Sequence, residues 1–268
     1  MINFDAYFPQ GILVAKPIPL SFCTVLRPYL LERAGIQDGS VIMLAVPYAV
    51  PCQQHTVSCY AIAKDYHTYF FDLFASVLPQ LRTDFPQYRF AGFSDHSPLA
   101  EVDAACRAGL GVLGDNGLLL TEAHSSFVFL GEIVTDMPTQ NQALPLRRCQ
   151  SCGACMRACP ARSKGQICLS ELTQKKGELD SQQKQYIAEN AYVWGCDICQ
   201  DVCPYTKQAA RAGTLYTTIP YFTQDLIPCP DLATLENMTD EEFSLRAYAW
   251  RGRNTIYRNI SIKENGQV

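Results

Sequence analysis

The sequence lacks the features that define several large classes of protein. It has no long run of one charge and no low-complexity tract, and with 48% hydrophobic and 18% charged residues its composition does not indicate disorder. The formal net charge is −4, so no overall positive field attracts nucleic acid. The N-terminus has no basic start followed by an apolar run, and no stretch approaches the roughly 20 apolar residues of a membrane span. We therefore expect a globular, cytoplasmic protein.

Cysteine, in contrast, is abundant, with thirteen residues in a chain of 268. Two segments hold most of them, Cys149-x2-Cys152-x2-Cys155-x3-Cys159-Pro160 and Cys196-x2-Cys199-x3-Cys203-Pro204. The first has the spacing that bacterial ferredoxins use for [4Fe–4S] clusters, in which three cysteines bind one cluster and the fourth, before proline, binds another. The spacing predicts an electron-transferring protein with two [4Fe–4S] clusters.

The crossed pattern of such ferredoxins assigns seven of the eight thiolates that two clusters need. The first cluster is predicted to take Cys149, Cys152, Cys155 and Cys203. The second is predicted to take Cys159, Cys196 and Cys199, with Cys168 as the nearest remaining candidate for its fourth ligand.

Two other uses of cysteine fit the sequence less well. Structural zinc sites also use Cys-x2-Cys pairs, but they usually combine two separated pairs rather than four cysteines in one short run ending in Cys-Pro. Disulfides are disfavoured because the cysteine count is odd and no secretory signal accompanies it.

Apolar periodicity predicts an alternation of strands and helices up to Asp136, which is typical of an α/β or α+β domain. The predicted elements are a helix over 18–34 around Pro28, a strand over 41–48, a helix over 59–78, a strand over 88–93, a helix over 98–110 and two strands within 118–136. Beyond them, the pattern predicts a helix near 181–190 and a capping box from Thr239 to Glu242.

Two features of this first half have both a structural and a functional interpretation. Four glycines within residues 109–117 either shape a hairpin or corner, or let the backbone approach a large flat ligand. Asp95 follows a predicted strand and precedes a helix that begins near Pro98, so it is either a helix N-cap or a proton donor in a cleft. A donor needs a pKa raised towards neutrality by burial.

Four blocks of the sequence resemble the epoxyqueuosine reductase family, whose members use iron–sulfur clusters and cobalamin to complete queuosine in the tRNA anticodon. The blocks are Tyr60-Ala61-x2-Lys64-Asp65-Tyr66-His67; Asp95-x2-Pro98-x2-Glu101 continuing to Ala108-Gly109-Leu110-Gly111; Phe129-Leu130-Gly131-Glu132-Ile133-x-Thr135-Asp136; and Trp194-Gly195-Cys196-Asp197-x-Cys199-Gln200-x-Val202-Cys203-Pro204.

The resemblance implies an architecture and a set of site residues. It implies a corrinoid-binding α/β domain over 1–146, related to that of reductive dehalogenases, a ferredoxin-like module over 147–207, and a helical or irregular extension over 208–268. It makes Asp95 the proton donor and a corrinoid contact, supports Cys168 as a ligand, and adds Cys59, Leu119 and Leu130 as corrinoid contacts. Within the family, the sequence resembles a short homologue that lacks the helical-repeat domain of the tRNA-modifying members.

The leading hypothesis is therefore an oxidoreductase that reduces epoxyqueuosine in tRNA or carries out a related reduction. Its electrons would come from a low-potential donor such as a ferredoxin or flavodoxin, and tRNA is a candidate partner. Two alternatives stay open, namely a ferredoxin-type electron-transfer protein without corrinoid, and a corrinoid reductase acting on a small molecule, which the acidic net charge favours.

Overall fold

The computed structural model describes residues 2–265, apart from the side chain of Lys164, and the chain divides into two compact units. The first unit comprises Met1–Pro47, Tyr66–Cys152 and Gln208–Leu215. The second comprises Tyr48–Asp65, Gly153–Lys207 and Tyr216–Val268. The predicted domain boundaries after residues 146 and 207 stay a prediction.

The first unit is built on an antiparallel sheet with strand order β1-β3-β7-β4, in which β2 also pairs with β3. A separate hairpin joins β5 and β6. The strands are β1 (Leu13–Val14), β2 (Ile18–Pro19), β3 (Ser40–Pro47), β4 (Phe90–Phe93), β5 (Val112–Leu113), β6 (Leu119–Leu120) and β7 (Val128–Thr135). Its helices are α1 (Pro28–Ala34), α2 (Tyr66–Asp84) and α3 (Glu101–Arg107), with 3-10 turns at Phe4–Tyr7 and Leu20–Phe22.

Strand β3 is the centre of the first unit and confirms the predicted strand over 41–48. Every residue from Val41 to Val46 is 0% exposed, which is why this segment is a continuous apolar run rather than an alternating one. On one face, Val41, Met43 and Ala45 belong to an apolar cluster that includes Ala104 and Ala105 of α3. Helix α3 therefore covers that face of the sheet.

Helix α2 lies against glycines of the sheet. A Cβ added to Gly131 would come 2.3 Å from the ring of Phe70, and one added to Gly92 would come 2.5 Å from the ring of Phe74. These close approaches require glycine in both strands. The helix begins at Tyr66 rather than at residue 59, because Cys59–Ala61 forms a separate 3-10 turn.

The prediction of one helix over 18–34 is wrong in its first half. Ile18–Pro19 pairs with β3, and the helix starts only at Pro28, where the missing N–H of proline costs no hydrogen bond. Gly35 ends α1 in the left-handed conformation, with φ 68°, as its position after the helix predicts.

The glycine-rich segment forms the β5–β6 hairpin, as the structural interpretation predicts. The N–H of Gly117 donates to the carbonyl of Gly114 at 2.9 Å, and Gly117 has φ 84°. A Cβ on Gly111 would lie 2.2 Å from the carbonyl oxygen of Leu120. The close pairing of the two short strands therefore accounts for glycine at residue 111.

The second unit is made mainly of short helices and a small apolar core. The α-helices from residue 154 onwards are α4 (Ala154–Ala158), α5 (Pro160–Lys164), α6 (Leu169–Thr173), α7 (Ser181–Ala188), α8 (Ile198–Asp201), α9 (Pro204–Ala212), α10 (Pro220–Thr223), α11 (Leu232–Asn237), α12 (Asp240–Ser244) and α13 (Arg253–Asn265). Of these, α9 begins in the second unit and ends in the first. The core is formed by Leu169, Leu172, Leu179, Tyr186, Ile187 and Tyr192.

Local signals set the ends of several of these helices. Pro160 and Pro204, which follow cysteines, are the first residues of α5 and α9. The predicted capping box from Thr239 to Glu242 is confirmed at α12, and α7 agrees with the helix predicted near 181–190. Within residues 2–265, no helix is both long enough and apolar enough to span a membrane.

Candidate functional site

Asp95 lies two residues beyond strand β4, in the first unit. Its φ is 60°, a left-handed conformation that aspartate tolerates better than most residues. Its backbone N–H donates to Oε1 of Glu101 at 3.2 Å, and its Oδ2 lies 3.4 Å from Nε2 of His67. The side chain is 66% exposed. The N-cap of α3 is Ala100, so the interpretation of Asp95 as a helix cap is wrong.

The electrostatic environment of Asp95 differs from the expected one. The hydrogen bond with His67 lowers the pKa of Asp95 below its ordinary value, and the charges of His67, Arg27 and His96 act in the same direction. Partial burial opposes them without reversing the shift. In this structure Asp95 is therefore ionised at neutral pH, and the described residues do not supply the burial that would raise its pKa as a proton donor requires.

The loop that carries Asp95 is anchored on both sides. Nη1 of Arg27 donates to the carbonyl of Ser97 at 2.8 Å, and the N–H of Ala100 donates to the carbonyl of Thr24 at 2.9 Å. The hydroxyl of Tyr29 lies 2.8 Å from Nε2 of His96. These contacts fix the backbone around Asp95 while its carboxylate stays open to solvent.

One buried and one half-buried carboxyl group lie beside this loop. Glu132, on β7, is 0% exposed and accepts a hydrogen bond from the Ser97 hydroxyl through Oε1. No residue of the described range donates to its Oε2. Burial raises the pKa of Glu132 well above its ordinary value, and the charge of Glu101 adds to the effect. Burial also raises the pKa of Glu101, to about 7.

The residues predicted to contact a corrinoid differ in burial. Leu119 is 3% exposed within the apolar core of the first unit, and Leu130 packs half-buried against the same core. In the second unit, Cys59 is buried and its N–H donates to Oδ2 of Asp197 at 2.6 Å. Burial, followed by the charge of Asp197, raises the pKa of the Cys59 thiol to about 12, so the thiol is neutral. Their role as corrinoid contacts stays a prediction.

The predicted ligands of the first cluster are distributed between the two units. Cys149 and Cys152 belong to the first unit, and Cys155 and Cys203 to the second. The N–H of Cys149 donates to the carbonyl of Leu113 at 2.9 Å, which holds the start of the cysteine run beside β5. The assignment of these four thiols to one cluster stays a prediction.

The predicted ligands of the second cluster all lie in the second unit, and three of them are neighbours of one tyrosine. Burial raises the pKa of Tyr186 to about 12, and the charges of Cys159, Cys196 and Cys168 add to it. The hydroxyl of Tyr186 is buried and has no hydrogen-bond partner within the described residues. Burial likewise raises the pKa of the Cys196 thiol to about 12, with further contributions that include the charges of Cys199 and Cys168.

This arrangement is not that of a single-ion site. Among residues 2–265, no three His, Cys, Asp or Glu side chains are grouped closely enough to hold one metal ion. A [4Fe–4S] cluster differs from a single ion because each of its four cysteines binds a different iron, so the sulfur atoms of the cysteines do not converge on one point.

Three acidic residues, two of them buried and one half-buried, were not singled out by sequence reasoning. They are Glu101, Glu132 and Asp197. Asp197 is 0% exposed and accepts hydrogen bonds from the Ser58 hydroxyl and from Nε2 of Gln200 at 2.9 Å. Burial raises its pKa despite these bonds. The available signal for Glu132 was a charged residue within the otherwise apolar strand β7.

Comparisons with known proteins agree on one family. No protein-family model matches the chain. It is 32% identical to epoxyqueuosine reductase of Listeria monocytogenes over 96% of this chain and 73% of that protein. The solved epoxyqueuosine reductase of Streptococcus thermophilus is 27% identical, with a TM-score of 0.70 over 90% of this chain and 67% of that one.

A further solved epoxyqueuosine reductase was crystallised with an epoxyqueuosine-modified tRNA-Tyr stem-loop. At 22% identity and a TM-score of 0.75 it shows a shared fold over 97% of this chain and 78% of that one. The chain spans between 45% and 74% of the length of eight of the curated relatives that it matches. The predicted resemblance is confirmed by the identity and coverage of these matches. The chain belongs to the epoxyqueuosine reductase family, a family of oxidoreductases.

Proposed function

We propose that this protein is a cytoplasmic reductase of the epoxyqueuosine reductase type that uses two [4Fe–4S] clusters and a corrinoid. The observation that supports the proposal is that Cys159, Cys168 and Cys196, which the ferredoxin pattern assigns to one cluster, all lie near enough to Tyr186 for their charges to raise its pKa. The shared family supports the reaction class.

The thiols of the second unit fit an iron–sulfur cluster. Cys159, Cys168, Cys196 and Cys199 would hold it, and bound iron would deprotonate Cys196, whose thiol burial otherwise keeps neutral. The buried Tyr186 hydroxyl, which lacks a partner among the described residues, would then have sulfur acceptors nearby. Cys149, Cys152, Cys155 and Cys203 are proposed as the ligands of the other cluster.

The fit to a corrinoid rests on fewer groups. Asp95 offers an exposed carboxylate and Leu130 a half-buried apolar side chain, whereas Cys59 and Leu119 are buried. The bound cofactors would supply electron transfer and low-potential metal-centred reduction. Corrinoid binding, and the predicted relation to reductive dehalogenases, belong to this proposal.

The chain's own contribution is proton delivery and placement. Reduction of an epoxide to an alkene with loss of water takes two electrons and two protons. Asp95 is proposed to deliver one proton, and His67, 3.4 Å away, is the neighbouring group from which it would be replenished. A substrate or cofactor that covers Asp95 would exclude water and raise the pKa of the carboxyl towards neutrality.

The substrate is proposed to be epoxyqueuosine in tRNA, since a relative of the same fold has been solved with such a stem-loop. Electrons are proposed to come from a ferredoxin or flavodoxin. Binding of a tRNA anticodon stem-loop, measured over a range of salt concentrations, tests the substrate. Turnover of the free nucleoside without tRNA affinity would instead favour a small-molecule reductase.

Anaerobic reconstitution with iron, sulfide and cobalamin tests the cofactors. We expect about eight irons per chain, cluster signals in electron spin resonance after reduction, and a cobalamin absorption spectrum that co-purifies with the protein. Full iron loading without cobalamin uptake would favour the ferredoxin-type alternative, and stoichiometric zinc without clusters would end the proposal.

The role of Asp95 is tested by Asp95→Asn, which keeps the size of the side chain but removes its proton. We expect turnover to fall by about 100-fold or more, in the range of lost general acid catalysis, with iron and cobalamin content unchanged. Glu241→Gln, at an exposed residue of α12, is the control. Wild-type turnover in Asp95→Asn would remove Asp95 from the mechanism.

A further inference from the structure

We propose that Cys52 and Cys229 form a reversible disulfide when the protein meets a peroxide. The proposal concerns the second unit and does not depend on the proposed reaction or on either cofactor. Neither cysteine belongs to the predicted cluster ligands or to the predicted corrinoid contacts. The pair would therefore be a modification site in addition to the predicted cofactor sites.

The two thiols meet at one backbone oxygen. Sγ of Cys52 donates to the carbonyl oxygen of Gln54 at 3.0 Å, and Sγ of Cys229 donates to the same oxygen at 3.5 Å. Because both sulfur atoms bond one atom at these distances, they lie at most 6.5 Å apart. A disulfide requires about 2 Å between its sulfurs. A change of rotamer moves each sulfur by about 3 Å, so rotation of the two side chains can cover the difference.

The main chain around the pair is held by backbone hydrogen bonds. The carbonyl of Pro228 accepts the N–H of Thr56 at 2.9 Å, and the N–H of Ile227 donates to the carbonyl of Ile62 at 2.9 Å. The segment that ends at Cys229 is thereby bonded to the segment that follows Cys52. The two cysteines therefore stay close without movement of the backbone.

Proline neighbours restrict both cysteines. Cys52 follows Pro51, and Cys229 lies between Pro228 and Pro230. The ring of each proline fixes φ, and a residue before proline is confined to extended conformations. Less conformational freedom is therefore lost when the two cysteines are joined.

Exposure distinguishes this pair from the other cysteines outside the predicted ligand set. Cys229 is exposed and Cys52 is partly exposed, so an oxidant in solution reaches both. Burial raises the pKa of the Cys23 and Cys59 thiols to about 12 and that of the Cys106 thiol to about 11. Those three thiols stay neutral and react slowly, because the thiolate is the form that attacks a peroxide.

A metal ion is the other common use of two neighbouring thiols. No third His, Cys, Asp or Glu of the described range joins Cys52 and Cys229 closely enough to hold one. The pair also differs from the structural disulfides that the sequence disfavours, because disulfides in reducing compartments are usually transient. A reversible link therefore fits the pair better than either alternative.

The reaction balances with hydrogen peroxide as the oxidant. The Cys229 thiolate attacks one peroxide oxygen, which breaks the O–O bond, releases one water and leaves a sulfenic acid. The Cys52 thiol then attacks the sulfenic sulfur, so that the S–S bond forms, the S–O bond breaks and a second water leaves. The two thiols give up two electrons and two protons, and the peroxide takes up both. A dithiol reductant reverses the change by thiol–disulfide exchange.

Peptide mapping of the full chain tests the link. The protein, purified without oxygen, is treated with an equimolar amount of hydrogen peroxide, its free thiols are alkylated, and the unreduced tryptic peptides are analysed by mass spectrometry. We expect a cross-linked pair of peptides, located by fragmentation at Cys52 and Cys229, and its loss after dithiothreitol. No such pair, or sulfinic acid at Cys229 beside a free Cys52 thiol, would overturn the proposal.

Matched variants separate this link from general oxidation. Cys52→Ser and Cys229→Ser should each abolish the cross-linked peptides. Cys23→Ser, at a partly exposed cysteine of the first unit, should form them to the wild-type extent. Equal loss of the cross-link in Cys23→Ser would overturn the assignment.

Hydrogen exchange measures the effect of the link on the chain. Amides of residues 53–57 should exchange about tenfold more slowly in the peroxide-treated wild type, because the link ties this segment to Cys229. The same treatment should not slow them in Cys229→Ser. In dithiothreitol, where both cysteines are thiols, that variant should exchange as the wild type does. Equal slowing by peroxide in the wild type and in Cys229→Ser would overturn the proposal.

Discussion

The two units of this protein hold their buried polar groups in different ways. In the first unit, eight-residue strands β3 and β7 form an apolar sheet, and the buried carboxyl of Glu132 and the half-buried carboxyl of Glu101 lie beside a loop that carries Asp95. In the second unit, helices of 4 to 13 residues are joined by side chains that bond backbone carbonyls. An example is Asn259, which is 0% exposed and donates to the carbonyls of Thr173 and Val193.

This difference indicates what each unit needs in order to be stable. The sheet gains its stability from continuous apolar burial, which requires no cofactor. Short helices gain little from propensity or internal hydrogen bonds, so the second unit depends on specific polar contacts and, by our proposal, on a bound cluster. The predictions below test that contrast.

The largest effect is expected from removing a proposed cluster ligand of the second unit. Cys196→Ser should lose about half of the iron, since one of two four-iron clusters loses a thiolate. Amides of residues 181–201 should also exchange faster with solvent, while those of β3 and β7 should not change. Iron and sulfide analysis with hydrogen exchange of the reconstituted protein measures both.

Cys229→Ser is the matched control for this experiment, because Cys229 is exposed and lies outside the predicted ligand set. It should keep the full iron content and the wild-type exchange pattern. Full iron in Cys196→Ser, or equal losses in the two variants, would contradict the ligand assignment. Faster exchange in β3 would contradict the contrast between the units.

A smaller effect is expected from the buried amide of α13. Nδ2 of Asn259 donates to Thr173 at 2.7 Å and to Val193 at 2.9 Å, so Asn259→Ala leaves two buried carbonyls without these donors. We expect the free energy of unfolding to fall by about 2 to 4 kcal/mol, measured by denaturant unfolding. The exposed Asn237, whose amide donates to the carbonyl of Ala233 in its own helix, provides the control, and its replacement by alanine should cost less than about 0.5 kcal/mol.

Patterns confined to a short stretch of sequence predicted the elements that the structure confirms. The apolar run from Val41 to Val46 predicted β3, and Thr239 with Glu242 predicted the start of α12, because each signal is complete within its own segment. The helix over 18–34 was wrong because pairing with β3, a tertiary contact, overrides the apolar spacing of Ile18 and Pro19.

The same holds for the candidate site, where residues close in sequence were predicted together and contacts between distant residues were not. Cysteine spacing predicted a ligand set, because three thiolates of a cluster come from one loop and are close in sequence. The partner of Asp95 is His67, 28 residues away, and Ser97 meets Glu132 across 35 residues. Contacts between residues so far apart in sequence depend on tertiary structure, such as the register of β4 and β7, which a single sequence does not reveal.

The smallest effect is expected at the N-terminus of α12. The Thr239 hydroxyl accepts the N–H of Glu242 at 3.1 Å, and the Glu242 carboxylate accepts the N–H of Thr239 at 2.8 Å. Thr239→Ala removes one half of this reciprocal cap and should lower the free energy of unfolding by about 1 kcal/mol. Thr239→Ser keeps the hydroxyl and should restore nearly all of that loss in thermal unfolding. If alanine and serine gave the same unfolding temperature, the cap would not contribute to the second unit, and its short helices would be held by packing as the sheet is.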